Sequence, residues 1–379
     1  MLQIKPVDSR QELRRFIQLP WSIYKDDPAW VPPLILERKD HLSPNNPFFD
    51  HAKFQSWIAY RSGKAVGRIS AQIDQLHLNQ YKKKEGFFGM VEAEDNAETF
   101  EALLQTAETW LRDHGMQRVL GPYNLSINQE PGLLIDGFNT PPFLMMGHAR
   151  PYYGARIEEN GYQKAKDLLA YLIEDNIDAS AAMQAIIKRA KSRVTIRSLR
   201  KSNYNEDLKI IEDIFNDAWS ENWGFIPFTD AEFKKLGKDF KLIIDFELVK
   251  IAEVDGTPAA FLVVLPNINE AIRDLNGRLL PFGWFKLLWR LKVSHPKTAR
   301  IPLMGVRKKY HNSLLGAALA FMVIQAILAP GIKRGIKKME LSWILEDNKG
   351  IRDIIETIGG TVHKRYRIYS KEIDRKPLD

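Results

Sequence analysis

Cysteine is missing altogether. Its absence rules out disulfides, thiolate metal sites and a cysteine nucleophile, and it fits a reducing compartment. Metal-ligand patterning is missing too. The eight histidines show no ligand spacing, and no His-Glu-x-x-His, Gly-x-Ser-x-Gly or Walker A stretch occurs, so zinc hydrolase, serine esterase and nucleotidase chemistry lack support and no metal is expected. Long apolar runs are scarce. The longest, Leu314 to Leu328, is interrupted by Gly316 and Gln325, falls short of the roughly 20 residues of a membrane span, and reads as a buried helix. The opening Met1-Leu2-Gln3-Ile4-Lys5-Pro6 has no apolar stretch of the signal-peptide kind, so a cytoplasmic location is expected.

What is present is the composition of a globular protein: 45% apolar, 27% charged and 11% aromatic over 379 residues, enough for two domains of ordinary size. The formal charge of +8 favours anionic partners, among which nucleic acid, CoA phosphates and anionic lipid all qualify.

The chain shows the same order of elements twice. Residues 1–50, punctuated by Pro28, Pro32, Pro33, Pro44 and Pro47, read as an N-terminal arm. In residues 51–178 a hairpin (Phe54 to Tyr60, Ala65 to Ile73) and a strand at Gly86 to Val91 lead to an amphipathic helix striped by Phe100, Leu103, Leu104, Ala107, Trp110 and Leu111. That helix stops at His114-Gly115. A short strand at Arg118 to Leu120, a long loop, a helix ending at Asn160-Gly161 and a strand around Leu168 to Ile173 complete the half. In residues 179–379 a helix bearing Leu208, Ile211 and Phe215 precedes a hairpin turning at Asp255-Gly256. Strand Ile301 to Val306 then feeds an apolar helix from Ser313 to Leu328, stopped by Pro330-Gly331. Strand Lys338 to Leu345, an Ile-striped helix stopped by Gly359-Gly360 and strand Val362 to Tyr369 follow. Each half carries its own insertion, near Asn124 to Phe138 and near Asn267 to His295, where specificity is expected. The fold class is mixed α/β (α+β).

Strand Pro302-Leu303-Met304-Gly305-Val306, the turn Arg307-Lys308-Lys309-Tyr310-His311-Asn312-Ser313-Leu314-Leu315-Gly316 and the helix after it resemble the pyrophosphate-binding motif of the GNAT N-acyltransferase superfamily. The underlying physics does not depend on the family: unpaired N–H groups and the positive end of a helix dipole make an anion site. The chain departs from the usual Arg/Gln-x-x-Gly-x-Gly/Ala pattern, since His311 and Leu314 stand where the basic residue and first glycine belong, and Gly316 alone is retained. The segment Glu340-Leu341-Ser342-Trp343-Ile344-Leu345-Glu346-Asp347-Asn348 is similar to the later GNAT motif, in which an Asn sits near the pantetheine arm and a splayed gap between strands admits it. Asn348 is the match. The tyrosine acid frequent some eight residues on is absent, with Ile355 and Glu356 there instead. The first half has no cradle, because Glu92, Glu94, Asp95 and Glu98 would repel a pyrophosphate.

The resemblance, covering about residues 54–375, implies two tandem GNAT-like domains, each a mostly antiparallel twisted sheet flanked by helices, similar to Fem-type aminoacyl transferases and N-myristoyltransferases. It implies acetyl-CoA or a longer acyl-CoA as co-substrate, held by Val306, Arg307, Lys308, Tyr310, Asn312, Ser313, Leu314, Leu315, Gly316 and Asn348, and an amine as acceptor. Such a transfer needs a base and donors for the oxyanion. Glu346 is the first candidate base and Glu221, in an aromatic loop, the second. Trp223, Asn124, Asn128 and Glu130 are candidate substrate contacts. Residues 279–293 form an amphipathic segment suited to a peripheral membrane contact or to the wall of a long acyl pocket, either of which makes the substrates lipid-like. Two competing readings are a nucleic-acid-binding protein using the basic face Lys188 to Lys201, and a catalytically inactive GNAT-like binding protein.

Overall fold

The computed structural model describes residues 1–174 and 181–373; the expected domain boundary at 178/179 lies outside them. The strands in chain order are β1 (Leu2–Pro6), β2 (Ala52–Arg61), β3 (Lys64–Asp74), β4 (Glu85–Ala93), β5 (Arg118–Gly121), β6 (Tyr123–Asn124), β7 (Glu130–Pro131), β8 (Leu133–Asp136) and β9 (Gln163–Glu174). They continue as β10 (Val194–Ser198), β11 (Val249–Val254), β12 (Thr257–Pro266), β13 (Thr298–Val306), β14 (Lys338–Leu345) and β15 (Thr361–Glu372). Two compact units result. Of the described residues the first comprises 1–169, 272–281 and 364–373, and the second 170–174, 181–271 and 282–363, so the chain passes from one to the other within β9 and within β15, and 272–281 join the first.

In the first unit β1, β2, β3 and β4 form an antiparallel meander, and β4 then pairs in parallel with β5. β15 lies antiparallel to β5 and to β8. The parallel step follows from the helix Ala97–Asp113 between β4 and β5, since a parallel pair needs a crossover. That helix opens on an Asn96 cap, and its stripe of Phe100, Leu103, Leu104, Ala107 and Leu111 is fully buried. The N-terminal residues are more than an arm: Leu2 to Pro6 are paired along β2, and Phe16 and Phe48 join Ile58, Met90 and Leu125 in one buried cluster.

The second unit repeats the pattern: β10, β11, β12 and β13 are antiparallel and β13 pairs in parallel with β14, with the helix Leu314–Lys333 as crossover. Ala259 to Leu265 on β12 are all buried save for traces. Such a run marks a strand covered on both faces, and the helices Tyr204–Trp219 and Leu314–Lys333 both pack against it.

The crossover helix is longer than its sequence suggests, running through Pro330 to Lys333. Proline in the last turn costs one backbone bond. That turn is held from outside, because Arg334 just beyond it pairs with Asp245 and Glu247. At 20 residues the helix is long and apolar enough to cross a membrane by length and composition, which a reading that stops it at Leu328 misses. Half of its most apolar window is buried within the protein.

Candidate active site

The cradle at the entrance to this helix is built by the turn before it. After β13 the backbone N–H of Arg307 donates to Ala259 O (2.9 Å), and Lys308 to Tyr310 make one 3-10 turn. His311 Nε2 bonds Val306 O at 2.7 Å. Asn312 takes a positive φ of 54°, which asparagine tolerates better than most residues. Ser313 is the N-cap: its hydroxyl donates to Tyr310 O (2.7 Å) and accepts from Gly316 N–H (3.0 Å). A Cβ on Gly316 would lie 2.1 Å from Tyr310 O, so only glycine allows the turn to close this tightly over the first helical turn.

Two donors remain. The backbone N–H groups of Leu314 and Leu315 make no hydrogen bond among the described residues, and the Leu314 side chain is 66% exposed. The flanking cations are partly committed. Arg307 pairs with Asp213 and donates to Pro258 O, Lys308 Nζ is 3.5 Å from Glu221, and exposed Lys309 lies over the Tyr310 ring.

Beside the cradle, β13 and β14 part. Their ladder runs from Thr298/Lys338 to Ile301/Leu341, after which the two strands continue to Val306 and Leu345 with no mutual pairing among the described residues. Two features coincide with the fork. Pro302, the next residue of β13, has no N–H for a ladder, and the β12–β13 register slips between Val263 and Leu265, opposite this point. Bulges of this kind bend a strand and re-aim its groups. Pro302, Leu303, Met304, Trp343, Ile344 and Leu345 along the two prongs are all half-buried.

A buried polar network ties the base of the fork. Arg300 donates through Nε to Ser342 Oγ (2.9 Å) and through a terminal N–H to Ser342 O (3.1 Å). Ser342 Oγ donates to Glu340 (2.6 Å), and the other oxygen of Glu340 meets His363 Nε2 at 2.8 Å. The Arg300 guanidinium lies 4.5 Å from the Trp343 ring centroid, and Trp343 Nε1–H is buried with no hydrogen-bond partner among the described residues. Sequence reasoning included Glu340, Ser342 and Trp343 only as part of the later motif's segment, without a role, and did not include Arg300 or His363. The available signal was Arg300 and Glu340, two charges embedded in otherwise apolar strands.

In the first unit the equivalent positions are closed. β4 and β5 are paired only over Glu85–Phe87 and Arg118–Leu120, but the chain turns back at Pro122 and fills the divergence. A Cβ on Gly89 would sit 1.7 Å from Tyr123 O, Asn124 Oδ1 accepts from Met90 N–H (2.7 Å), and Gln72 holds the carbonyls of Tyr123 and Leu125. The helix entrance there carries Glu94, Asp95 and Glu98, paired to Arg61 and Arg156.

The remaining expected site residues are placed as follows. Asn124 also donates to Glu130 (3.0 Å), and Glu130 pairs with Arg38 (3.0 Å). Burial alone would raise the Glu130 carboxyl, but Arg38 outweighs it and brings the group down to about 2. Asn128 donates its backbone N–H to Ser126 Oγ. Glu221 is largely exposed next to Lys308, and Trp223 is half-buried in the same loop. Asn348 caps the helix Lys349–Thr357, accepting from Ile351 N–H. Half-buried Glu346 directly follows β14, and its carbonyl accepts from Arg352 (2.7 Å). A tyrosine does reach that helix, from another strand: Tyr171 on β9 donates to Glu356 (2.6 Å) and accepts from Arg352 Nε (3.0 Å). Burial and Glu356 push its hydroxyl up. Tyr171 lies 181 residues from Arg352, so no linear signal joined it to this helix. On the basic face, Arg193, Arg197 and Arg200 pair with Asp255, Glu253 and Asp207, which neutralises part of it.

No family model matches the chain. Among curated proteins it is 49% identical over 375 residues to the bacterial ceramide synthase of Caulobacter vibrioides, covering 98% of both chains. It is 48% identical over 366 residues to protein YghO of Escherichia coli, covering 96% of this chain and 94% of the relative. Solved structures of similar fold include a tandem GNAT protein from the clavulanic acid biosynthesis pathway (TM-score 0.57, 11% identity, 99% of this chain and all of that one). A GCN5-related N-acetyltransferase from Sphaerobacter thermophilus has a TM-score of 0.53 at 13% identity, covering 99% of this chain and 96% of that one. Its two halves share the fold of tandem GNAT proteins, and with identity near one half to these relatives along almost its whole length, this chain belongs to the family of the bacterial ceramide synthase and YghO.

Proposed function

We propose that the second unit binds a fatty acyl-CoA and transfers its acyl group to the amine of a long-chain amino alcohol. The observation that carries this reading is the fork between β13 and β14 beside an unsatisfied helix entrance. The entrance supplies two backbone donors and a helix dipole for the pyrophosphate. The half-buried apolar prongs offer a channel for the pantetheine arm. The acceptor follows the relative's name, because a ceramide is the amide of a fatty acid with such an amine.

In the reaction the neutral amine attacks the thioester carbonyl, the C–S bond breaks, and the amine proton leaves while the CoA thiolate takes one up. Glu346 is the candidate base, with Glu221 the second, and Trp343 Nε1–H is a donor free to meet a carbonyl oxygen. Tyr171, linked through Arg352 to the end of β14, stands as proton donor to the thiolate. Asn348 and the Arg307–Lys308 turn border the co-substrate, and Trp223 the acceptor. Asn124, Asn128 and Glu130 support the first unit's closed loop.

The test is CoA release from acetyl- through palmitoyl-CoA with sphinganine, together with thermal shift for each acyl-CoA. Expected are turnover and a stabilisation that grows with chain length, and for Tyr171→Phe a fall in turnover of about 10²-fold with the thermal shift retained. No shift with any acyl-CoA contradicts the reading.

A further inference from the structure

Between Asp274 and Glu340 the chain has thirteen lysines and arginines and no acidic residue, although Arg300, Arg307, Lys308, Arg334 and Lys338 are paired with acids at or beyond its ends. Within that stretch lies the helix Gly283–Trp289, followed by a π-type turn over Arg290–Ser294. One side of the segment is anchored to the second unit: Leu291 is buried and Arg290 donates to Ala271 O at 2.7 Å. The other side is bare. Phe282 is 75%, Phe285 57%, Trp289 55% and Val293 55% exposed, and Trp284 and Leu288 are close to half. A soluble surface seldom leaves so many large apolar side chains together without use. Exposed Lys286 and Lys292 flank them.

We infer that Phe282 to Val293 docks the protein on an anionic lipid bilayer. Two independent features select that occupant. Tryptophan and phenylalanine projecting from a short amphipathic helix are the groups that partition into the headgroup region. Exposed Lys286 and Lys292, on the same segment as the bare aromatic rings, supply attraction to negative lipid, and a neutral apolar partner would make no use of it. The segment belongs to the same insertion in which sequence reasoning places specificity, between β12 and the β13 strand that feeds the cradle. Docking there brings a water-insoluble acceptor to the enzyme without release into solution.

The experiment is sedimentation of the full chain with vesicles of phosphatidylcholine alone and of equal parts phosphatidylcholine and phosphatidylglycerol. The expected result is binding to the mixed vesicles that weakens as salt rises. The double variant Lys286→Gln/Lys292→Gln should bind them roughly 30-fold more weakly, and Trp284→Ser/Trp289→Ser should bind neither. All these positions are exposed, so melting temperature and CoA release with a water-soluble amine should stay at wild-type values. Vesicle binding is read without turnover, so it stands or falls apart from the acyl-transfer reading. Absence of binding to mixed vesicles overturns the inference, as does equal binding to neutral ones. Sedimentation as a dimer that the tryptophan variant converts to monomer also overturns it, by showing that a second copy covers the face.

Discussion

Glu130 illustrates how one residue's surroundings fix its charge. Its carboxylate is enclosed by Arg38 at 3.0 Å and the Asn124 amide at 3.0 Å, and His41, whose own basicity is lowered by burial and by Arg38, lies in the same cluster. With the folded carboxyl at about 2 against roughly 4.3 unfolded, Glu130 adds stability that is fully present above the unfolded value. That stability is lost as pH falls toward the folded one. Glu130→Gln should therefore lower unfolding free energy by about 3 kcal/mol at neutral pH. Denaturant melts should show the gap between variant and wild type closing as pH drops from 4 toward ~2. A gap independent of pH would mean that packing, not the ion pair, sets the cost.

At the scale of elements, the two crossovers use one device with opposite outcomes. Each joins parallel strands that diverge, and each helix begins on a capped turn. In the first the loop Tyr123–Leu125 occupies the divergence, whereas in the second the prongs stay unpaired. Gly316 is the tightest point of the open one. Gly316→Ala must push the Tyr310 carbonyl aside and spoil the aim of the Leu314 and Leu315 amides, so calorimetric affinity for palmitoyl-CoA should drop at least ~10-fold. Affinity unchanged in a folded Gly316→Ala protein would remove the cradle from the account.

These elements were legible in the sequence to different degrees. Periodicity and Gly or Pro stops mark the strands and the crossovers, because each buries one continuous stripe. Leu314 illustrates the limit of motif reading: it stands where the motif's first glycine belongs, yet its side chain lies largely in solvent. Tyr171, Arg300, Glu340 and His363 meet only after the strands are laid side by side. Beyond the two charges set in mostly apolar strands, nothing in the linear sequence marks them. Pro330 misled because a helix is ended by the balance of its contacts, and Arg334 with Asp245 and Glu247 outweighs one lost bond.

For the molecule as a whole, a duplicated GNAT-like fold has come to hold one open fork and one closed fork. The central claim is that only the second unit takes acyl-CoA, and stoichiometry reads it most directly. Isothermal titration of the full chain with palmitoyl-CoA, below the concentration at which the ligand forms micelles, should give one site per chain. Two sites, or none, would contradict it.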